Sequence, residues 1–209
     1  MFTGIIKEVG VIDKIEKTKR GVNLTIKCKK VLEGLNLGDS VSIDGVCLTV
    51  SSIFKYSFSA YAGEETLNKT TLANIHRGEE VNLEPALKPQ DSIGGHFVQG
   101  HIEGLGKVVS VEKRGDEILL QIKIPKEIKK SIIKKGSIAV SGVSLTVSEI
   151  KGDVIKIFLV PFTLNSTNLR KLKKGSFVNI ETDIICRTVV SLIENKEKID
   201  IKKLIEEGY

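Results

Sequence analysis

Short runs in which apolar and polar residues alternate dominate the chain. In Val46-Cys47-Leu48-Thr49-Val50 every second side chain is apolar, and Val143-Ser144-Leu145-Thr146-Val147 repeats the pattern. A period of two, bounded by Gly, Asn and Asp, predicts half-buried strands rather than helices. In the first half the strands are expected at about 5–13, 22–29, 39–44, 46–53, 56–61 and 79–85. A polar, Thr/Asn-rich piece at about 64–72 interrupts them and is read as one helical turn or two. The tail differs: Val189, Val190, Leu192, Ile193, Ile199, Leu204 and Ile205 fall at helical spacing from Cys186 onward. That apolar stripe must be covered, either by the chain's own strands or by copies of the chain.

The strand pattern occurs twice. Gly45-Val46-Cys47-Leu48-Thr49-Val50 matches Gly142-Val143-Ser144-Leu145-Thr146-Val147, and Thr66-Leu67-Asn68 matches Thr163-Leu164-Asn165. Gly78, Val81, Asn82 and Glu84 match Gly175, Val178, Asn179 and Glu181; with a one-residue slip, Gly4 and Gly10 match Gly100 and Gly106. An offset of about 97 residues is too long for a solenoid and implies a duplicated domain. Pro85, Pro89, Gly94 and Gly95 punctuate the boundary. The expected organisation is a first domain over 1–87, a second over 96–185 and a helix over 186–209. Many short strands at this spacing point to a small closed antiparallel barrel or a sandwich in each half.

Composition narrows the function classes. Hydrophobic residues make up 41% of the 209, enough for real cores, while Trp is absent and aromatics are few, so the cores must be Ile, Val and Leu. A net charge of +6 raises the question of nucleic acid. The Lys residues are scattered among Glu, and no aromatics interleave with them as a stacking surface needs, which argues against an oligonucleotide-binding barrel. The three cysteines, Cys28, Cys47 and Cys186, are far apart and make neither a zinc signature nor a disulfide framework. No secretory leader and no run long enough to span a bilayer is recognised, so a soluble cytoplasmic protein without a membrane partner is expected. No glycine pattern matches a phosphate loop or a dinucleotide fingerprint, and Asp44-Gly45 reads as a turn between strands.

Strand alternation places the candidate chemistry. If Val46, Leu48 and Val50 fill one barrel, Cys47 and Thr49 lie outside it; Ser144 and Thr146 do the same on the other. Exposed Ser and Thr need no function, but here both halves place a short polar pair at one equivalent point. The decoration differs between halves: Ile5 stands opposite His101, Cys47 opposite Ser144, and Ala86 opposite Asp183. His with Ser, Thr and Asp on one repeat fits a proton-handling pocket, although no nucleophile elbow marks a hydrolase.

These residues resemble a known family, riboflavin synthase, whose members carry two lumazine-binding repeats. The resemblance rests on Met1-Phe2-Thr3-Gly4-Ile5-Ile6, Gly45 to Val50, Ile93-Gly94-Gly95-His96, Gly100-His101-Ile102, Gly142 to Val147, Pro161-Phe162-Thr163-Leu164 and Asn179-Ile180-Glu181-Thr182-Asp183. It implies an all-β chain of two tandem six-stranded antiparallel Greek-key barrels plus a C-terminal α-helix. It also implies a homotrimer held partly by that helix, and it leaves open lumazine synthase as a further partner. The implied reaction is a dismutation of two 6,7-dimethyl-8-ribityllumazine molecules, which lie face to face between the first barrel of one subunit and the second barrel of its neighbour. One molecule gives up four carbons; the other becomes riboflavin. No metal or redox cofactor is required.

The resemblance also assigns site residues. Backbone at Gly4, Ile5 and Ile6, with Thr3, and at Gly100, His101 and Ile102 would pair with ring edges, and Phe2 would stack on a ring or close the pocket. Thr49, Thr66, Thr146 and Thr163, with Leu48, Leu145, Leu164 and Asn165 nearby, would hold rings and ribityl chains. Tyr61, Ala62, Gly63, Glu64 and Glu65 in the first barrel, and Val160, Pro161 and Phe162 in the second, flank those threonines. His101, Ser144 and Asp183, with Lys135 nearby, are expected to handle protons in the second barrel, and Cys47 to contact the ring in the first. A non-catalytic lumazine carrier with the same two barrels is the main rival; a clear Gly-Val-x-Leu-Thr-Val core in both barrels argues against it.

Overall fold

The computed structural model describes residues 1–196; the expected helical positions Ile199, Leu204 and Ile205 lie outside them. The first half folds into β1 (Glu8–Thr18), β2 (Gly21–Lys27), β3 (Ser40–Ile43), β4 (Val46–Phe54), β5 (Ser57–Gly63), the short helix α1 (Glu64–Lys69) and β6 (Glu80–Pro85). These six strands close into an antiparallel barrel in the order β1-β2-β5-β4-β3-β6, with β1 pairing to β6. Closure leaves no unpaired edge. Leu24, Ile26, Ile43, Phe58 and Leu83 are wholly buried inside it, each such side chain contributing roughly 1.5–3 kcal/mol.

The second half repeats the plan with β7 (Gly104–Arg114), β8 (Glu117–Lys123), β9 (Ser137–Val140), β10 (Val143–Thr146), β11 (Glu149–Lys151), β12 (Val154–Leu159), α2 (Pro161–Ser166) and β13 (Phe177–Thr182). Its sheet runs β10-β9-β13-β7-β8-β12-β11 and is curled. The extra strand has a local cause. β4 carries a bulge between Val50 and Ser52, where the Ser51 hydroxyl donates to the Ser59 carbonyl. At the matching point of the second half, Ser148 turns both its amide and its hydroxyl onto the Lys156 carbonyl. There the bulge has become a break, and one strand counts as β10 plus β11.

Two differences from the sequence pattern matter for function. Residues 5–7 do not begin the first strand; β1 starts at Glu8 because the chain before it crosses to the other barrel. The final helix, α3 (Ile184–Lys196), starts two residues before Cys186, where the Asp183 carboxylate accepts the Ile185 amide as an N-cap.

The barrels meet along a seam with approximate two-fold symmetry. The tight turns Asp44-Gly45 and Ser141-Gly142, with positive φ at all four residues, face each other across it, as two-residue hairpin turns require. Asn82 donates from Nδ2 to the Ser141 carbonyl (2.9 Å) and accepts the Asn168 amide (2.8 Å). Asn179 does the same in reverse, donating to the Asp44 carbonyl (2.8 Å) and accepting the Thr71 amide (2.8 Å). Both asparagines are fully buried, so their pairing is obligatory.

Asp44 breaks the symmetry, since Ser141 is its counterpart. Burial pushes its carboxyl up to about 7, against the lowering effect of the Asn82 amide and Asn168 side-chain donors, and Glu79 adds to the rise. A carboxyl raised in the folded state binds its proton there more tightly than in the unfolded chain. Folding is therefore weakened as pH rises from the unfolded value toward 7, and the full cost persists above it. Asp44→Asn should accordingly raise the melting temperature at pH 8, with the gain shrinking toward pH 5. Melting curves across that range check it, and a pH-independent difference would contradict it.

Among the described residues no helix is long and apolar enough to cross a membrane.

Candidate functional site

Two segments leave their own barrels and lie on the opposite ones. Phe2 and Val98 pair in an antiparallel bridge, with Phe2 N donating to Val98 O (2.7 Å) and the reverse bond at 3.1 Å. Beyond that crossing, the carbonyl of Gly4 accepts the amide of Ser144 on β10 (2.8 Å), and the carbonyl of Gly100 accepts the amide of Cys47 on β4 (3.0 Å). Side chains follow: Ile6 packs against the core of the second barrel, and Ile102 against that of the first. Phe2 is fully buried where the segments cross, with Val98 and Ala139, and Cys47 packs against that cluster. It therefore closes the seam and presents no ring face to an open pocket.

This exchange regroups the candidate residues. The sequence groups His101 with Ser144 and Asp183 because all three belong to the second half; in the structure it lies instead beside Cys47. A cavity of about 260 Å³ is lined by Val46, Cys47, Glu65, Thr66, Lys69, Thr70, Gly100, His101 and Ile102. Cys47 is half-buried on β4, with Leu48 facing the core and Thr49 the outside, as strand alternation requires; His101, outside any strand, is exposed. Thr66 sits on α1, its carbonyl accepting the Thr70 hydroxyl (2.8 Å). Of the preceding residues, Ala62 points into the barrel, Gly63 is half-buried and Glu64 exposed, and the Tyr61 hydroxyl donates to the Arg20 carbonyl (2.8 Å). Only Glu65 and Thr66 of that segment line the cavity.

On the second barrel, Ser144 faces Gly4 and the chain around Gly95. Its hydroxyl lies 2.7 Å from His96 Nδ1. His96 is buried, its Nε2 has no partner among the described residues, and burial holds its pKa below the usual histidine value while Asp183 pulls it upward. A neutral imidazole at neutral pH can accept a proton or pass one from the Ser144 hydroxyl. Asp183 is half-buried close by, one carboxylate oxygen committed to the α3 cap. Ile5 stands exposed against Gly94, where His101 stands in the first site. Thr146 is exposed on the strand bearing Ser144 and Leu145 is buried. Thr163, Leu164 and Asn165 lie on α2, with Val160, Pro161 and Phe162 exposed before them. Lys135, in a left-handed turn, donates its amide to the Val147 carbonyl (2.7 Å) at the far end of the same hairpin.

Each half thus carries the same set of elements: a crossing segment, a short polar side chain on β4 or β10, and a threonine on a short helix; in the first half they line the 260 Å³ cavity. A larger cavity, about 660 Å³ between residues 33–35 and the 85–92 linker, is lined by Thr3 of the crossing segment and by Glu84, but by none of Cys47, Thr66, Ser144 and Thr163.

Comparison with known proteins agrees with that plan. The lumazine binding domain model matches twice, over residues 3–86 and 99–183. Riboflavin synthase of Bacillus subtilis (strain 168) is 38% identical, with both chains covered completely, and that of Actinobacillus pleuropneumoniae is likewise 38% identical over the whole of both. The chain belongs to the riboflavin synthase family. Among solved structures, LumP complexed with 6,7-dimethyl-8-(1'-D-ribityl) lumazine superposes with a TM-score of 0.79 at 32% identity, covering 87% of this chain and 99% of that one. LumP complexed with riboflavin gives 0.81 at 33% identity over the same shares.

In this riboflavin synthase family member, His96 is the site residue that pattern reading passed over. It was visible as part of Gly94-Gly95-His96 but stood at a domain boundary, where a glycine pair reads as a linker. The structure gives those glycines a further reason: a Cβ on Gly95 would lie 2.1 Å from the Thr3 carbonyl and 2.8 Å from the Ser144 Cβ.

Proposed function

We propose that the chain catalyses the dismutation of two 6,7-dimethyl-8-ribityllumazine molecules to riboflavin and 5-amino-6-(D-ribitylamino)uracil. It is a transferase that moves a four-carbon unit and needs no resident cofactor. The observation that carries this reading is the pair of equivalent sites, alike in scaffold and different in decoration: Cys47 and His101 beside the crossing segment at one, Ser144 and His96 at the other. One reaction that consumes two copies of the same molecule in different roles calls for such a pair. Full-length similarity to riboflavin synthases supports it.

The chemistry asks for orientation and proton transfer. The lumazine 7-methyl group is acidic because its carbanion delocalises into the ring. Holding two flat rings at reacting distance can contribute up to roughly 7–11 kcal/mol through pre-paid translational and rotational entropy and avoided solvent reorganisation. Backbone at Gly4–Ile6 and Gly100–Ile102 meets the ring edges. Thr66 and Thr163 hold the ribityl side. Ser144, relayed by His96 and biased by Asp183, handles protons at the second pocket; Cys47 and His101 contact the ring at the first.

In this reading 1–87 and 96–185 are the two lumazine-binding domains, and 186–209 assembles a cytoplasmic homotrimer in which the first barrel of one subunit faces the second barrel of its neighbour. Ile185, Val189, Leu192 and Ile193 support that role, being 49–60% exposed on α3 in the single chain. Lumazine synthase, as a source of the substrate, is a further candidate partner.

The test is direct. Pure protein mixed with 6,7-dimethyl-8-ribityllumazine alone should develop riboflavin fluorescence, one riboflavin for every two lumazines consumed. Tight binding without turnover would instead mark a chromophore carrier and defeat the proposal.

A further inference from the structure

Two buried glutamates of the duplicated fold take no part in the chemistry above. Glu84 on β6 is 3% exposed and Glu181 on β13 is 1% exposed. Both aim their carboxylates at main-chain amides of the crossing segments. Glu84 accepts the Thr3 amide (2.7 Å), the Thr3 hydroxyl (2.7 Å) and the Gly4 amide (3.0 Å). Glu181 accepts the amides of Gln99 (2.7 Å), Gly100 (2.9 Å) and His101 (3.2 Å). The same segments use their opposite side to bond the other barrel, through the Gly4 carbonyl to Ser144 and the Gly100 carbonyl to Cys47.

We propose that Glu84 and Glu181 are positioning residues that act across the seam: each sits on one barrel and sets the geometry of the pocket on the other. Glu181, on the second barrel, fixes the Gly100–Ile102 backbone and the His101 side chain over Cys47 and Thr66 of the first. Glu84, on the first barrel, fixes Gly4 and Ile5 over Ser144 of the second. A carboxylate suits this work because one group gathers three donors that would otherwise be buried unpaired. Burial raises both carboxyls, while the amide donors lower them, with Lys7 also lowering Glu84 and Arg187 lowering Glu181. The clamp on the first pocket is further tied to the last helix. Arg187 on α3 donates to Gln99 Oε1 (2.6 Å) and to Glu103 Oε1 (2.6 Å), bracketing the residues Glu181 holds. The inference rests on the lumazine reading, since it assigns the glutamates to that reading's two pockets.

The experiment counts riboflavin binding in the full chain by fluorescence quenching. Thr66→Arg blocks the first pocket and Thr163→Arg the second. The unsubstituted protein should bind two equivalents per chain; if it binds fewer, the two-pocket lumazine reading itself fails. Glu181→Gln keeps the shape but removes the charge and one acceptor, and should weaken one equivalent at least about tenfold. Combined with Thr163→Arg it should leave no tight site; combined with Thr66→Arg it should leave one. Glu84→Gln should show the mirror pattern. If either glutamine variant does not fold, Glu→Asp at that position, which keeps the charge one methylene short of the amides, is read in the same way. The proposal is overturned if each glutamate governs the pocket on its own barrel, if both pockets weaken equally in each variant, or if two equivalents bind unchanged.

Discussion

Alanine in place of Gly100 should lower turnover by at least about a hundredfold, the scale expected when a reacting geometry is displaced by an ångström or so. Gly100 has φ of +81°, and a Cβ there would stand 2.5 Å from the Cys47 Cβ and 2.8 Å from the Cys47 amide nitrogen. That nitrogen is the donor to the Gly100 carbonyl. The added methyl cannot be absorbed by a flexible side-chain end, so the crossing segment must lift off β4. His101 would move with it, and the Glu181 clamp would be pulled apart. A left-handed backbone by itself costs only roughly 1–2 kcal/mol. Gly78→Ala separates the two effects: Gly78 has φ of +88° and open space where its Cβ would go. That variant should lose a little stability and keep its activity. Steady-state rates for the pair decide the matter; equal losses would show that strain, not displacement, is responsible.

Substituting Gln for His96 should reduce kcat by roughly 10²-fold or more, in line with loss of a positioned proton carrier, while lumazine binding changes little. Ser144→Ala should cost a similar factor. Because the two side chains lie 2.7 Å apart and act as one unit, the double variant should be little worse than either single one. Burial keeps the His96 pKa below the usual value, so the neutral form persists through neutral pH. Activity dependent on it should fall only on the acid side, below the ordinary histidine range, and His96→Gln should flatten that limb. Additive losses, or an unchanged acid limb, would remove His96 from the proton path.

Much of this architecture can be read along the chain. Strand alternation placed Cys47, Thr49, Ser144 and Thr146 outside their barrels, and Asp44-Gly45 forms the expected turn. The repeat pairs the equivalent sites and aligns Glu84 with Glu181. Alternation, however, reports only which way a side chain faces on its own strand. It carries no information on which barrel a segment will join, so the pattern groups His101 with its own half although Gly100 bonds Cys47 of the other. The crossing depends on contacts made over long stretches of sequence, with glycines at Gly4, Gly95 and Gly100 fitting tightly against the partner strand. The break between β10 and β11 was equally hidden, because Ser148 and Ser51 are the same residue type and differ only in how far each pulls its strand out of register.

On the proposed reading the two reacting rings are held by pockets from neighbouring chains, first barrel facing second. The decisive measurement mixes two disabled proteins, Thr66→Arg with its first pocket closed and Thr163→Arg with its second closed, unfolds them together and refolds them. Each alone should be inactive, and the mixed assembly should recover riboflavin formation because an intact first pocket can face an intact second one. Activity that stays absent in demonstrably mixed assemblies would mean that the pockets do not work across chains.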